Sequence, residues 1–347
     1  MKHFFWGIIL LLLSCKGSDV KNGSGNISVD IPDGAVDFTI AFGSCNKTEV
    51  PNLLWDDIKN EKPDVWIWGG DNVYADTDNE EKLKAYYDKQ LKDKAYRSLK
   101  EETQILGTWD DHDYGMNDGG IHFHFKETSQ KLFLDFLGVP EKDIRREQKG
   151  IYHTVDFKLK SGSIRIIILD TRYFRSDLTD DLQSKKRYKP NAYGDGTVLG
   201  EAQWKWFADQ LESSEADFNI VVSSIQLLSA KHGYETWGNF PHEVDKFLSV
   251  VKESNAKGVI VLSGDRHISD FSKIEIKGMS YPLIDFTSSG LTHAATNNKG
   301  EENPYRVGKM INQISYGVLK FDMKRKKVIM EMKGNGGELQ QYLMQTY

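Results

Sequence analysis

The sequence predicts an α/β domain in which two mixed β-sheets pack face to face between helices, a four-layer αββα sandwich. Three observations carry this. From residue 36 onward, short runs of β-branched and apolar residues alternate with amphipathic segments at helical spacing. From Phe271 the pattern changes to closely spaced short strands, which reads as antiparallel. No internal repeat or linker divides 36–347, so this stretch reads as one domain. Apolar content of 39%, charged content of 28%, eight tryptophans and fifteen tyrosines exclude a disordered chain.

The segment before that domain is of another kind. Lys2 gives a positive start, Phe4 to Leu13 an apolar run too short to span a bilayer comfortably, and Ser14-Cys15 a small residue before cysteine. Residues 1–14 are expected to be a signal peptide. Leu12-Leu13-Ser14-Cys15 resembles a bacterial lipobox, which implies a lipid anchor on the Cys15 thiol and a periplasmic or cell-surface location. A plain secretory signal with a chance cysteine is the alternative. Residues 15–35, rich in Gly, Ser, Lys and Asn, then form a flexible tether. Only two cysteines exist, so the anchor would leave Cys45 without an intramolecular partner.

In order along the domain, Val36–Gly43 reads as a strand by alternation, and Pro51 opens a short helix through Asn60. Val65–Trp68 is a second strand, Glu80–Leu99 one charged amphipathic helix, and Ile105–Trp109 a third strand. Glu127–Leu137 has helical spacing and stops at Gly138-Val139-Pro140. Ile151–Leu159 and Ile164–Leu169 form a hairpin around Lys-Ser-Gly-Ser. Arg175–Gly200 is long and polar, as expected of a lid or substrate-facing loop. Glu201–Ser214 and Pro241–Glu253 read as helices, Asn219–Val222 and Val259–Leu262 as buried strands. Strands are then expected at 274–276, 282–286, 314–323, 327–332 and near Gln340.

Polar clusters follow five of these strands. Val65-Trp66-Ile67-Trp68 ends in Gly-Gly and then delivers Asp71, Asn72 and Tyr74. The other ends carry Cys45, Asp110-Asp111-His112-Asp113, Gln226, and Asp265 with His267. Ligands of open α/β sheets gather at the carboxyl ends of the strands, so these positions mark a site. Each residue alone has a plain structural reading: a turn cap for Asp71 and Asn72, a small buried hydrophobe for Cys45, a satisfied amide for Gln226. Recurrence at five ends favours a site. The net charge of −6 speaks against wrapping on nucleic acid, and an anionic substrate would need local attraction such as bound cations. Nothing in the pattern implies a protein partner.

The motifs Phe42-Gly43-Ser44-Cys45, Gly70-Asp71-Asn72-Val73-Tyr74, Trp109-Asp110-Asp111-His112-Asp113, Ser224-Ile225-Gln226, Ser263-Gly264-Asp265-Arg266-His267 and Ser288-Ser289-Gly290-Leu291-Thr292-His293 together resemble the PhoD-like alkaline phosphatases, a branch of the metallophosphoesterase superfamily. The resemblance runs from about Phe38 to the carboxyl end and is to a short form with a lipoprotein signal. It implies one ion held by Cys45, Asp71, Tyr74 and His267, where thiolate and phenolate suit Fe3+. It implies a second site sharing Asp71 and adding Asp111, Gln226 and Asp265, suited to one or two Ca2+, with Mg2+ or Mn2+ possible. Asp110 and Asp113 are either supports behind the ligands or ligands of a further calcium. His112 is expected to protonate the leaving oxygen, and Arg172 either steadies the substrate or serves as an ion-pair residue.

The function implied is extracytoplasmic hydrolysis of phosphate mono- or diesters, with metal-bound hydroxide attacking phosphorus in line. A phospholipase or phosphodiesterase acting on lipid or teichoic-type diesters, and a metal-binding lipoprotein without turnover, are the rival readings.

Overall fold

The computed structural model describes residues 36–347. The expected signal peptide at 1–14, the lipidated Cys15 and the tether through 35 lie outside the described residues. No helix among those described is long and apolar enough to cross a membrane.

Two large sheets form the centre. The first takes β1 (Phe38–Gly43), β2 (Val65–Gly69) and β3 (Gln104–Thr108) as parallel neighbours. Antiparallel strands β13 (Tyr316–Asp322), β14 (Lys327–Lys333) and β15 (Leu339–Thr346) extend it from the β1 side. The second runs β12 (Arg306–Ile311), β10 (Ser269–Ile274), β11 (Leu283–Ser288), β9 (Val259–Ser263), β8 (Phe218–Val222), β5 (Gly162–Ile168) and β4 (His153–Leu159). Its central four strands are parallel.

Period-2 alternation sorts each strand between two cores. In β2, Val65 and Ile67 face the other sheet and meet Ile164, Ile166, Ile220 and Ile260. Trp66 and Trp68 point the other way, against Trp55 of α1 (Trp55–Asn60), Leu83 of α2 (Glu80–Lys92), Leu99 of α3 (Lys94–Glu102) and Phe133 of α5 (Lys126–Leu137). On the far face of the second sheet, Val221 and Val261 meet Phe207 of α6 (Gly200–Glu212) and Phe247 of α7 (Pro241–Glu253). The expected four layers are therefore present, and strands buried on both faces read as continuous apolar runs for that reason.

Several elements differ from the sequence reading. The single helix over 80–99 is broken at Asp93, which is extended (φ −59°, ψ 126°) and caps α3 by accepting from the Tyr96 N–H at 2.8 Å. β10 begins at Ser269, ahead of the expected 274–276, because its Ser-Asp-x-Ser run is buried although polar. Asp270 there accepts from Arg306 at 2.8 Å and Asn303 at 3.1 Å. β11 is antiparallel to β10, as expected, but parallel to β9, and β12 went unseen. The 175–200 insertion folds over a short pair, β6 (Thr179–Asp180) with β7 (Tyr188–Lys189).

A charge cluster ties the end of α1 to the first sheet. Glu61 lies between Lys333 and Lys320, the latter 3.1 Å from Glu61 and 2.9 Å from Glu331. Burial alone would raise the Glu61 carboxyl, but the two lysines more than offset it and hold it below 4.5. A depressed carboxyl adds stability above the unfolded value, and that stability disappears as pH falls through the folded one. Glu61→Gln is expected to cost about 1–3 kcal/mol near neutral pH. Denaturant titrations should show the gap between wild type and variant closing below pH 4.5.

Candidate metal centre

The carboxyl ends of β1, β2, β3, β8 and β9 open toward one crevice. The chain leaves them through unusual backbone: Cys45, Asp71, Asp265 and His267 have φ of 63°, 51°, 68° and 54°. Side chains other than glycine are strained there, so surrounding contacts must hold these turns. Gly70, at φ 100°, allows the strand ends to close on each other. A Cβ at that position would lie 2.6 Å from the Asp110 Cβ and 2.9 Å from that of Ser224.

Two groups of ligand atoms share Asp71. Cys45 Sγ lies 3.4 Å from Asp71 Oδ2, Tyr74 Oη 3.1 Å from the same oxygen, and Tyr74 Oη 2.8 Å from His267 Nε2. Ligand atoms of Cys45, Asp71 and His267 lie within 4.8 Å of one another, as do those of Asp71, Asp110, Asp111 and Asp265. The sequence thus brought together Cys45, Asp71, Tyr74, Asp111, Asp265 and His267, and Asp110 joins them. Asp113 instead accepts from Asn72 Nδ2 at 2.6 Å and from the Asp110 N–H at 2.7 Å, which makes it a support behind the cluster. Gln226 donates to Thr287 Oγ1 at 2.9 Å, and its Oε1 is buried without a partner.

The electrostatics identify what the cluster lacks. Burial, then the charges of Cys45 and Asp111, push Asp71 well above the usual carboxylate range. Burial and Asp110 do the same to Asp265. Burial lifts the Cys45 thiol to about 11, and it lifts Asp110 to about 6 even with Arg172 opposing it. Asp111 is the exception: its burial is outweighed by Arg172 and His112, which bring it to about 2. Packed carboxylates and a thiol are unfavourable in a dry site unless cations neutralise them. Asp110 Oδ2, Asp111 Oδ1 and Gln226 Oε1 are buried with no hydrogen-bond partner, so atoms for a cation to meet are already in place. The residues present fit metal ions.

A further trio, Asp111, Asp118 and Glu235, already has cations of its own. Arg187 pairs with Asp118 at 2.6 Å, and Arg172 and Arg175 pair with Glu235 at 2.5 and 2.7 Å.

His112 is the second residue of α4 (Asp111–Tyr114), a turn that the sequence reading did not assign. Its Nδ1 lies 2.8 Å from both Asp76 oxygens. Burial would lower this imidazole, but Asp71 and Asp76 raise it to about 10. Asp76 fixes the ring and was missed by the sequence reading, since nothing sets it apart from the exposed acidic run that follows it.

Arg172 requires a correction. The expectation that it steadies substrate gives way to the ion-pair alternative: the side chain is wholly buried, donating Nε to Asp110 Oδ1 at 2.5 Å and Nη1 to Glu235 Oε2 at 2.5 Å. Arg266 pairs with Glu301 and stacks 4.1 Å over the Tyr234 ring. His293 packs edge-on to Tyr74 and His267, with centroids 5.1 and 4.4 Å away, and burial lowers it to about 4.

A cleft of about 840 Å3 opens beside Asp111, His112, Asp265 and His267. Its remaining wall is polar, with Lys186 and Arg187 of the 175–200 insertion, Lys231, Arg266, Lys299 and asparagine amides.

The chain is similar to known proteins in sequence and in fold. A sequence model of PhoD-like phosphatases matches residues 40–333. Alkaline phosphatase D of Bacillus subtilis strain 168 is 27% identical over 158 residues, which cover 40% of this chain and 27% of that enzyme. The alignment therefore spans about a quarter of that relative's length. A solved structure of PhoD superposes with a TM-score of 0.71 at 17% identity, over 90% of this chain and 69% of that one. A purple acid phosphatase from yellow lupin seeds gives a TM-score of 0.61 at 12% identity, over 90% and 54%. At these identities the two structures speak to the fold alone.

Proposed function

The chain belongs to the PhoD-like phosphatase family, and from that premise we propose that it is an extracytoplasmic, metal-dependent hydrolase of phosphate esters. The observation that carries this reading is the pair of ligand groups sharing Asp71, with His112 beside them at the mouth of the cleft. Cys45, Asp71, Tyr74 and His267 would hold one ion. Thiolate and phenolate together favour Fe3+ there. Asp71, Asp110, Asp111, Gln226 and Asp265 would hold the other, an oxygen set suited to Ca2+, with Mg2+ or Mn2+ as substitutes. Bound there, the ions would neutralise phosphoryl charge and make a water acidic enough to attack.

The chain's own residues do the rest. Asp76 holds His112 by Nδ1, which leaves Nε2 to pass a proton to the departing oxygen. The polar wall of the cleft supports a hydrophilic leaving group over the acyl chains of a lipid. The amino-terminal pattern ending at Cys15 supports action outside the cytoplasm at a membrane surface.

Protein purified without chelator should contain two kinds of metal and hydrolyse an aryl monophosphate, a bis-aryl phosphate, or both. Chelation is expected to abolish turnover and lower Tm, because ions binding only the folded state stabilise it. Metal-replete protein that hydrolyses neither ester overturns the reading. Tyrosinate and thiolate on Fe3+ should also absorb in the visible, so a colourless, iron-free, fully active protein removes the iron assignment alone.

A further inference from the structure

The turn after α4 folds back on a metal-ligand candidate, and the 175–200 insertion holds it there. Gly115 and Met116 donate their N–H groups to the Asp111 carbonyl at 2.9 and 3.1 Å, which bends the chain back toward the start of the helix. The Asp118 N–H then donates to Asp111 Oδ2 at 2.7 Å. The other oxygen, Oδ1, is buried with no hydrogen-bond partner. One backbone donor thus fixes the rotation of the Asp111 carboxylate and leaves a defined oxygen for an ion.

Asp118 does not hold that position by itself. Its φ of 51° is left-handed, which glycine adopts freely and aspartate at a cost, so contacts must keep it there. Most of them come from outside the turn. Asp118 Oδ2 accepts from Arg187 Nη2 at 2.6 Å and from Tyr188 Oη at 2.8 Å, with Asn117 Nδ2 at 2.7 Å as the local donor. Arg175 also donates Nη2 to the Asp118 carbonyl. Arg187 and Tyr188 are themselves pinned, since their N–H groups donate to the Gly233 carbonyl at 3.0 and 2.9 Å. The insertion expected to act as a lid is therefore tied, through one carboxylate, to the N–H that orients Asp111.

We propose that Asp118 is a positioning residue for the oxygen-ligand metal site, and that Arg187 and Tyr188 set the affinity of that site by holding Asp118 in place. The inference rests on the metal-dependent reading and gives the 175–200 insertion a task within it. Charge alone predicts the reverse. Arg187 lines the same cleft as Asp111 and feels its charge, so as a cation it repels an ion bound there, and removing it would tighten binding. A brace predicts weaker binding, and the two accounts differ in sign.

The test titrates chelator-treated protein calorimetrically with Ca2+ and, separately, with Mn2+, and records Tm with and without the ion. The double variant Arg187→Met, Tyr188→Phe keeps side-chain bulk and removes both donors. It should bind each ion about ten-fold more weakly, the lower end of what supports behind a ligand contribute. Asp118→Gly should do the same, since glycine takes up the φ of 51° and keeps the N–H but loses the tether. Arg187→Lys alone keeps a cation at the carboxylate and should recover most of the affinity. Tm without metal should change far less than Tm with metal, because ions that bind the folded state weakly stabilise it less. Binding of both ions as tight as in wild type, or tighter, in either the double variant or Asp118→Gly overturns the inference, whatever happens to Tm. Wild type that binds neither ion removes the metal-dependent reading, and the inference falls with it. Weaker binding in both variants supports the inference even where wild type shows no ester turnover, an outcome that removes the phosphatase reading alone.

Discussion

Arg172→Met is expected to cost about 3–5 kcal/mol, because it leaves the buried Asp110 carboxylate without its cation and Glu235 with Arg175 alone. The guanidinium pairs with Asp110 and Glu235, and all three side chains are essentially sealed from solvent. Methionine fills similar volume, so the loss reports charge more than packing. The pH dependence gives the proof. Burial raises Asp110 to about 6 and Glu235 to about 7 even with Arg172 pulling both down. Without it both rise further. A carboxyl raised in the folded state contributes stability at low pH that is lost as pH climbs through the folded value. The deficit of Arg172→Met should therefore be smallest near pH 5 and grow toward pH 8, measured by urea denaturation of chelated protein to keep metals out of the comparison. A deficit that is flat with pH would mean that Arg172 acts only as filler.

This cluster also shows where sequence reading stops. The strand ends were legible because each ligand follows a run buried on both faces, and the chemistry stands out against Val65-Trp66-Ile67-Trp68 or Val259–Leu262. Arg172 follows such a run too. Its fate depends on Glu235, 63 positions away in the chain, which no local pattern announces. Asp76 was hidden for a similar reason: only the fold brings it within 2.8 Å of His112. β10 and β12 escaped because hydrophobic period was the criterion for strands. In β10 buried serines and Asp270 make hydrogen bonds in place of apolar contact, and β12 is an edge strand carrying Gly308 and little burial. The helix break at Asp93 had a visible cause, an N-cap residue, but caps inside a long charged segment compete with the option of continuing the helix.

His112→Ala is expected to lower kcat by about 10²–10⁴ on an alkyl phosphate, the usual range for loss of a general acid. Geometry alone leaves a rival role, since one nitrogen of His112 lies within 4.8 Å of ligand atoms of Asp71 and Asp111. The leaving group separates the two. A nitrophenolate departs without a proton and an alkoxide does not, so a proton donor matters far more to the alkyl ester. His112→Ala should therefore retain much of its activity on nitrophenyl phosphate while losing the alkyl ester, with metal content unchanged. A metal ligand would lose both substrates together, along with its ion. Asp76→Asn supplies the intermediate case: it keeps the imidazole but removes the charge that fixes Nδ1, and a support of this kind is worth about ten-fold or more. Its loss should follow the same leaving-group pattern, smaller in size. Equal effects of Asp76→Asn on both esters would mean that Asp76 shapes the loop and not the proton donor.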